Sequence, residues 1–165
     1  MTNYIIDGHD ISRLFDEKYP TIKFSENLKD HIPSYGSIVY TIWNNKEEFI
    51  YVGIGGVGQS PNTPLEKRNP RSRIKQHQDG RRSGDQFNVY VHDFFIIPEI
   101  VNSGKYEPVK GDLDKLTQKY IHENLSYRFC CFQTEDSIQI VRKIETKIKN
   151  GHFGMKPFLN GEDTD

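Results

Sequence analysis

The sequence predicts one α/β (α+β) domain, in which a small, mainly antiparallel three-stranded sheet is flanked by helices. The chain of 165 residues has the usual length of a single domain and is long enough to bury a core. Three of its segments are rich in the β-branched and aromatic residues that strands favour. Other segments carry helix caps or apolar residues at helical spacing, so both strands and helices are expected.

Composition excludes several classes of protein. Aromatic residues form 12% of the chain, which argues against intrinsic disorder. No apolar run approaches the roughly 20 residues that span a bilayer, and the first residues lack the pattern of a secretory signal. The adjacent cysteines Cys130 and Cys131 would point to opposite faces of a strand, so they form no disulfide framework and are expected to pack in the sheet. We therefore expect a reduced, cytoplasmic protein that does not bind a membrane.

The first 35 residues are expected to form a small appendage on this domain. Asp10 can cap a short helix in which Ile11, Leu14 and Phe15 have helical spacing. The segment then becomes mixed in composition and ends in proline, serine and glycine, which are typical of turns.

Two strands joined by a short loop are predicted next. Residues 37–43 and 48–54 have strand composition, and the four polar residues 44–47 between them suit a hairpin. If the loop closes in this way, counting places Tyr40 directly opposite Tyr51, and directly opposed residues share a face. The sequence therefore predicts two tyrosines side by side on one face of the sheet.

A helix that starts at Asn69 and ends before Gly80 is predicted after the hairpin. Asparagine is a good cap, the proline that follows it suits the first helical position, and glycine is common just past a helix end. Arg73 and His77 are four residues apart and would therefore lie on one face of this helix.

Two further helices are predicted, over residues 83–97 and 112–125. Ser83 and Gln86 form a capping box for the first, and apolar residues recur at helical spacing in both. The loop between them is marked by Pro98, Gly104 and Pro108.

The third strand is predicted over residues 127–133, and Thr134 can cap a last helix that ends at Gly151. Isoleucine and valine recur at helical spacing along this helix, and Glu145 lies at the edge of the apolar face. Residues 161–165 are expected to form a frayed, acidic tail.

Positive charge is concentrated in one segment of a chain whose net charge is only −1. Seven basic and two acidic side chains lie between Glu66 and Arg82, which gives a local charge of +5. Such a patch is expected in a protein that binds a polyanion such as nucleic acid, and a solvated helix face is the alternative. The residues assigned to nucleic-acid binding are Lys67, Arg68, Arg71, Lys75, Arg81 and Arg82.

The glycine-rich loop after the second strand suggests a different function. Gly53, Gly55 and Gly58 fit the G-x-G-x-x-G pattern of dinucleotide-binding folds, which requires a helix to start at the loop. Pro61 and Pro64 argue against such a helix. We therefore expect no nucleotide cofactor, and nucleotide binding is the third of three functional hypotheses.

Six residues occur in an order, and on predicted elements, that match a known enzyme family. They are Tyr40, Tyr51, Arg73, His77, Glu145 and Asn160. With the strand motifs Ile38-Val39-Tyr40 and Tyr51-Val52-Gly53, this arrangement resembles the GIY-YIG nuclease superfamily. The chain looks like a small standalone member, similar to the catalytic core of GIY-YIG restriction and repair endonucleases.

The resemblance covers residues 36–56, 69–80 and 126–160. Residues 81–125 would be a helical insertion in the family's core. Ile38 replaces the first glycine of the motif, and the long loop before the helix leaves both Arg71 and Arg73 as candidates for the family's arginine. Arg73 is preferred, because His77 then completes an R-x-x-x-H pattern found in some restriction-enzyme members.

The resemblance implies metal-dependent hydrolysis of a DNA phosphodiester, with one Mg²⁺ or Mn²⁺ ion in each active site held by Glu145. Magnesium takes one or two protein carboxylates and keeps several waters, which suits a single acid. Arg73 would hold phosphoryl oxygens through its guanidinium fork. Asn160 would fix the local geometry through hydrogen bonds.

The group that activates the attacking water is left open by the sequence. Tyr40 or Tyr51 would position or deprotonate the water, and His77 would be a general base, a proton relay or a phosphate ligand. An ordinary tyrosine has a pKa of about 10. A basic phenol therefore requires Arg73, His77 or metal-bound solvent to lower its pKa.

The leading hypothesis is an endonuclease that acts on DNA, although the pattern does not distinguish DNA from RNA. The alternative is a non-catalytic nucleic-acid-binding module that uses the same basic face. A homodimer would suit cleavage of both strands of a duplex.

Overall fold

The computed structural model describes residues 2–58, 60–106 and 111–162. Pro108 and residues 163–165 of the predicted tail lie outside these ranges. The strands are β1 (Ile5–Ile6), β2 (His9–Asp10), β3 (Ile22–Lys23), β4 (Ser37–Asn44), β5 (Phe49–Gly55) and β6 (Leu125–Phe132). The helices are α1 (Ser72–Asp79), α2 (Gln86–Val91), α3 (Ile97–Ser103), α4 (Asp112–Asn124) and α5 (Ser137–Lys149). Shorter helical turns are a π-helical turn, His92–Ile96, between α2 and α3, and the 3₁₀ turns Ser12–Leu14, Leu28–Asp30 and Leu65–Lys67.

The α+β class predicted from the sequence is confirmed, with one more strand in the main sheet than expected. That sheet has four antiparallel strands in the order β3–β6–β4–β5, and β1 and β2 form a separate hairpin. The additional strand is β3, in which Ile22 pairs with Tyr127 and Lys23 with Ser126. Two residues are too short a run for strand periodicity to show in a sequence.

The pairing of β4 with β5 differs from the prediction but keeps both tyrosines on one face. Tyr40 pairs with Gly53, and Tyr51 pairs with Ile42. The turn is one residue longer than expected, and a bulge that contains Ile50 adds a second shift. The prediction that the two tyrosines lie directly opposite each other is therefore wrong. Each one-residue shift of the register moves the side chains to the other face of the sheet, so two shifts return them to the predicted face. The prediction that the tyrosines share a face is thus confirmed, and their ring centroids lie 6.5 Å apart.

A hydrophobic core lies on each face of the sheet, because side chains alternate along the central strand β4. On one face, Ile38, Tyr40 and Ile42 pack with residues of α1, α2 and α4. On the other face, Val39 and Trp43 pack with α5 and part of the N-terminal segment. The sheet is therefore covered by helices on one side and by α5 with the N-terminal segment on the other.

The N-terminal segment belongs to both cores. Ile11 and Leu14 are fully buried on the α5 side of the sheet. Phe24 and Ile32 are buried on the opposite side. The structure thus differs from the appendage expected from the sequence, since the mixed composition of this segment contains apolar residues for two separate faces.

The helical region between α1 and β6 is more continuous than predicted. α2, the π-helical turn and α3 follow one another directly, and Pro98 lies in the first turn of α3. α3 ends just before Gly104, so residues 98–103, which the sequence analysis placed in a loop, are helical. The cap of α2 is Asp85, which accepts a hydrogen bond from the backbone N–H of Phe87, and not Ser83.

The described helices are short and amphipathic. The longest, α4 and α5, have 13 residues each, whereas a membrane span takes roughly 20. The predicted apolar stripe of α5 is buried through Val141, Ile144 and Ile148. None of the helices in the described part of the chain is long and apolar enough to cross a membrane.

Close packing explains the glycines in and after β5. A Cβ atom at Gly53 would overlap the phenol of Tyr40, its partner on β4. Gly56 has a φ of +68°, and a Cβ atom there would overlap the carbonyl oxygen of Gly36. Within the described residues the next helical turn begins only at Leu65. The helix start that a dinucleotide site requires therefore does not follow this loop.

Replacing Gly53 with alanine should destabilise the fold through the ring of Tyr40. The added methyl group forces the ring or the strand to move, which in a packed core costs about 1–3 kcal/mol. We expect this loss in the free energy of unfolding measured with urea. In a Tyr40→Ala background the ring is absent, and the same substitution should cost clearly less. Equal costs in the two backgrounds would show that the ring is not the reason for the glycine.

Candidate active site

Tyr40 lies at the centre of the candidate site, in the middle of β4. Its side chain is 1% exposed, and its hydroxyl lies 2.7 Å from Nε2 of His77. His77 and Ile74 form the buried face of α1. A hydroxyl that is removed from water needs a partner, so this hydrogen bond holds α1 against the sheet.

Asp85 extends this contact into a chain of buried hydrogen bonds. Its Oδ2 lies 2.6 Å from Nδ1 of His77, while its Oδ1 accepts a hydrogen bond from the backbone N–H of Phe87. One carboxylate therefore caps α2 and orients the imidazole. Sequence analysis missed Asp85, because its single signal was its position just before a helix, which is common to many capping aspartates.

The partners of His77 fix its tautomer. Burial lowers the pKa of His77, and the hydrogen bond that the ring donates to Asp85 opposes this shift only in part, so the ring is neutral near pH 7. A neutral imidazole donates from one nitrogen and accepts at the other. Nδ1–H donates to Asp85, and Nε2 accepts the proton of Tyr40. The lone pairs of the Tyr40 oxygen are left to accept a hydrogen bond from another group.

Tyr51 stands beside this chain on the same face of the sheet. Its ring meets the imidazole of His77 edge-on at a centroid distance of 5.9 Å and contacts Phe87 at 4.9 Å. Phe87 also packs against His77 at 4.5 Å. Aromatic rings therefore surround the imidazole and keep water away from it.

Arg73 brings positive charge to the two phenols. It lies one turn before His77 on α1, is exposed, and donates from Nη1 to the amide oxygen of Gln76 at 2.9 Å. Burial raises the pKa of Tyr40 and of Tyr51, and the charge of Arg73 opposes both rises. The charge of the guanidinium therefore acts on both hydroxyl groups.

Arg71, the other candidate for the family's arginine, is held elsewhere. Its Nε donates to the carbonyl oxygen of Ile32 in the N-terminal segment at 2.7 Å. It thus lies away from the phenols, and the geometry favours Arg73 for the site.

Glu145 supplies a carboxylate from α5. Its side chain is 19% exposed, at the edge of the apolar stripe as predicted. Burial raises the pKa of Glu145, and the ammonium group of Lys149, 3.5 Å away, opposes this rise. Although α5 packs on the opposite face of the sheet, the charge of Glu145 adds to the burial that raises the pKa of Tyr40 and Tyr51. The charge of this acid therefore acts on both phenols from the α5 side of the sheet.

The surroundings do not turn either phenol into a base. Burial raises the pKa of Tyr40 well above its ordinary value and raises that of Tyr51 as well. Asp85 and Glu145 add to both rises, and Arg73 offsets only part of them. A phenolate base requires a lowered pKa, whereas the pKa of both tyrosines is raised.

Asn160 supports the site through the backbone. Its Oδ1 accepts a hydrogen bond from the N–H of Val52 at 3.1 Å, and its Nδ2 donates to the carbonyl oxygen of Val52 at 2.7 Å. The two residues before it also bond to the backbone of β5. This segment therefore fixes the strand position next to Tyr51.

Five of the six predicted site residues thus share one neighbourhood at the β5 side of the sheet. They are Tyr40, Tyr51, Arg73, His77 and Glu145. Asn160 lies beside them and contacts the strand that carries Tyr51.

The residues assigned to nucleic-acid binding differ in exposure and in the partners that they contact. Arg68 is 4% exposed, and its guanidinium donates to the carbonyl oxygen of Glu135 at 2.9 Å and to Oγ of Ser137 at 2.8 Å. It therefore anchors the start of α5, which does not fit the expectation of a contact to nucleic acid. Three others have partners: Arg71 with Ile32, Lys75 with Asp79 and Arg82 with Asp114. Lys67 and Arg81 are exposed.

The two cysteines lie on opposite faces of β6, as predicted, and both are free thiols. Burial raises the pKa of the Cys130 thiol to about 12 and that of Cys131 to about 11. Both thiols stay protonated near pH 7, which argues against a nucleophilic role.

The site offers a divalent cation one carboxylate, that of Glu145, which is paired with Lys149. Among the described residues, no group of three or more histidine, cysteine or acidic side chains is placed to hold a metal ion. Asp85 uses both of its oxygens within the hydrogen-bond chain. Glu145 remains, and a site with one carboxylate that is completed by water and substrate oxygens fits the preference of magnesium.

Comparison with known proteins identifies no relative of this chain. No protein-family model matches the sequence, and neither a curated protein nor a solved structure is significantly similar to it. Function is therefore inferred from the residues of the site.

Acid should destabilise the fold through His77. Its pKa is lower in the folded chain than in the unfolded chain, so the unfolded chain takes up the proton first. The associated stability is fully present above about pH 6.5, the ordinary value, and is lost as the pH falls through the folded pKa. We expect the free energy of unfolding in urea to fall more steeply with acid in the wild type than in His77→Gln. Identical pH slopes would contradict this assignment.

Proposed function

We propose that the protein is a metal-dependent endonuclease of the GIY-YIG type that hydrolyses DNA phosphodiester bonds. One observation carries the proposal: two phenols, a guanidinium and a carboxylate from four different elements lie within electrostatic reach of one another. Phosphoryl transfer needs positive charge for the phosphoryl oxygens, an oriented water and a stabilised leaving oxygen. The four groups are of the types that supply these needs.

Tyr40 relays a proton in this mechanism and does not have to exist as a phenolate. A lone pair of its oxygen accepts a proton from the attacking water while its own proton moves to Nε2 of His77. The water oxygen then bonds to phosphorus, and the bond from phosphorus to the leaving oxygen breaks. Asp85 stabilises the imidazolium, and Nε2 then returns its proton to the oxygen of Tyr40 while the hydroxyl of Tyr40 gives a proton to the leaving oxygen. The raised pKa of Tyr40 agrees with such a transfer, since no free phenolate is formed.

Arg73 and Tyr51 hold the phosphate in this proposal. The guanidinium of Arg73 can pair with two phosphoryl oxygens at once. Tyr51 keeps its proton because burial raises its pKa, so it donates a hydrogen bond to the phosphate or to the water. Asn160 keeps β5, and with it Tyr51, in position.

Glu145 is the residue that would hold a Mg²⁺ or Mn²⁺ ion. When bound, such an ion supplies positive charge to the phosphoryl and leaving oxygens. A cation at this carboxylate competes with the ammonium group of Lys149, which lies 3.5 Å from it. Both side chains keep some exposure, 23% for Lys149 and 19% for Glu145, so the carboxylate can be reached from solvent.

The same ion pair favours the second candidate function, a non-catalytic nucleic-acid-binding module. If Lys149 neutralises Glu145 permanently, no carboxylate is left for a metal ion, and the cations of the site bind nucleic acid without cleavage. Turnover distinguishes the two functions.

Plasmid nicking with Mg²⁺ tests the catalytic assignment. Glu145→Ala and Arg73→Ala should each slow nicking by roughly 10²–10³-fold, the usual effect of removing a charge-stabilising group. EDTA should abolish nicking by the wild type. The matched controls are Glu123→Ala on α4 and Arg13→Ala beside Tyr19 and Phe129, which remove exposed side chains of the same charge outside the site. Equal nicking by site and control variants would exclude this active site, and DNA binding without nicking would favour the second function.

Asp85→Asn should impair the relay while keeping the fold. Asparagine caps a helix as well as aspartate does, but its amide can donate to Nδ1 of His77. The ring proton then moves to Nε2, which can no longer take the proton of Tyr40. We expect nicking to fall roughly 10²–10⁴-fold, with little change in stability, and ¹⁵N NMR of the imidazole to show the other tautomer. The exposed Asp30→Asn is the control. An unchanged tautomer with full activity would remove Asp85 from the mechanism.

A further inference from the structure

A basic groove runs along the flank of α1 that faces away from the candidate active site. It has a volume of about 750 Å³ and lies between the N-terminal segment, the loop before α1 and α1 itself. The exposed or half-buried charged side chains that line it are Lys29, Lys67, Arg71, Lys75 and Glu66. Arg68 lines it too, but its guanidinium is bonded to the start of α5. Sequence analysis missed Lys29, which lies far from the basic segment in the chain.

The groove and the active site use opposite flanks of α1. Successive residues of an α-helix are about 100° apart, so Arg71 and Lys75 project roughly opposite to Arg73 and His77. The contacts agree with this placement, since Arg71 bonds to Ile32 of the N-terminal segment whereas His77, on the flank of Arg73, bonds to Tyr40. Positive charge is therefore presented on both flanks of one helix.

The lining of the groove suits a row of phosphates more than a single small anion. Its cations come from the N-terminal segment, the loop before α1 and the first turns of α1, whereas a small anion needs donors that converge on one point. Phosphate oxygens also accept from neutral polar groups, and Asn69, Ser72 and Gln78 line the groove together with the cations. The exposed ion pair of Lys75 with Asp79 is of a weak kind that opens readily.

We propose that this groove binds the phosphate backbone of the second strand of duplex DNA, so that α1 lies between the two strands. The proposal rests on the proposed function, in which Arg73 holds the scissile phosphate of the first strand. An α-helix with its side chains is about 10–12 Å wide, close to the major-groove width of about 12 Å. A DNA strand that passes along the Arg73 flank of α1 does not also occupy the Lys75 flank. A protein that contacts DNA with both flanks therefore binds a duplex in preference to a single strand.

This proposal is tested by measuring DNA binding in EDTA, which removes divalent metal ions and so prevents cleavage. Fluorescence anisotropy compares a labelled DNA duplex with one of its single strands over a range of salt concentrations. The variant Lys29→Ala/Lys67→Ala removes two exposed cations of the groove, and the control Lys46→Ala/Lys119→Ala removes two exposed cations outside it. Each phosphate contact contributes about 0.9 to the slope of log K against log salt. The groove variant should therefore lose about 2 units of slope and bind duplex at least roughly tenfold more weakly at moderate salt.

Single-strand binding should change no more in the groove variant than in the control. Equal slopes for groove and control variants would overturn the proposal, and so would equal losses for duplex and single strand, or no duplex binding by the wild type. The proposed function fails separately, when the wild type binds duplex through the groove but does not nick it.

Discussion

The buried hydrogen-bond chain from Tyr40 through His77 to Asp85 is the constraint on which the site depends. A phenol, an imidazole and a carboxylate lose their water here, and a buried polar group without a partner costs about 1–3 kcal/mol. The hydrogen bonds between these groups form only while β4, α1 and the start of α2 keep their positions. Polar groups therefore specify how the helical region docks on the sheet, while apolar contacts supply most of the attraction.

The same burial determines what chemistry the phenols can perform. It raises the pKa of Tyr40 and Tyr51, and the nearby acids strengthen this effect. A site that used a tyrosine ionised before the reaction would need surroundings that lower the pKa of the phenol. Burial also keeps His77 neutral and ready to accept a proton. A hydroxyl that is hard to ionise, placed against a neutral base, suits a proton that moves through the hydroxyl during the reaction.

Local chemistry made much of the fold and site predictable. The spacing of Arg73 and His77 on α1 and the position of Glu145 on the apolar edge of α5 follow from helix periodicity, and the common face of the tyrosines follows from strand alternation. Long-range pairing was not predictable. β3 has two residues, the bulge at Ile50 has no distinctive composition, and Asp85 and Lys29 acquire their roles only through neighbours distant in sequence.

The pairing of Asn160 with Val52 has a consequence for self-association. β5 is an edge strand of the main sheet, and an open edge is a template on which another chain can add a strand and aggregate. The segment that ends in Asn160 occupies the edge along β5 with its own backbone and one side-chain amide. A second copy of the chain could pair with β5 only after this segment had been displaced. Two folded copies therefore cannot extend the sheet at this edge, and any dimer contact here is made by side chains.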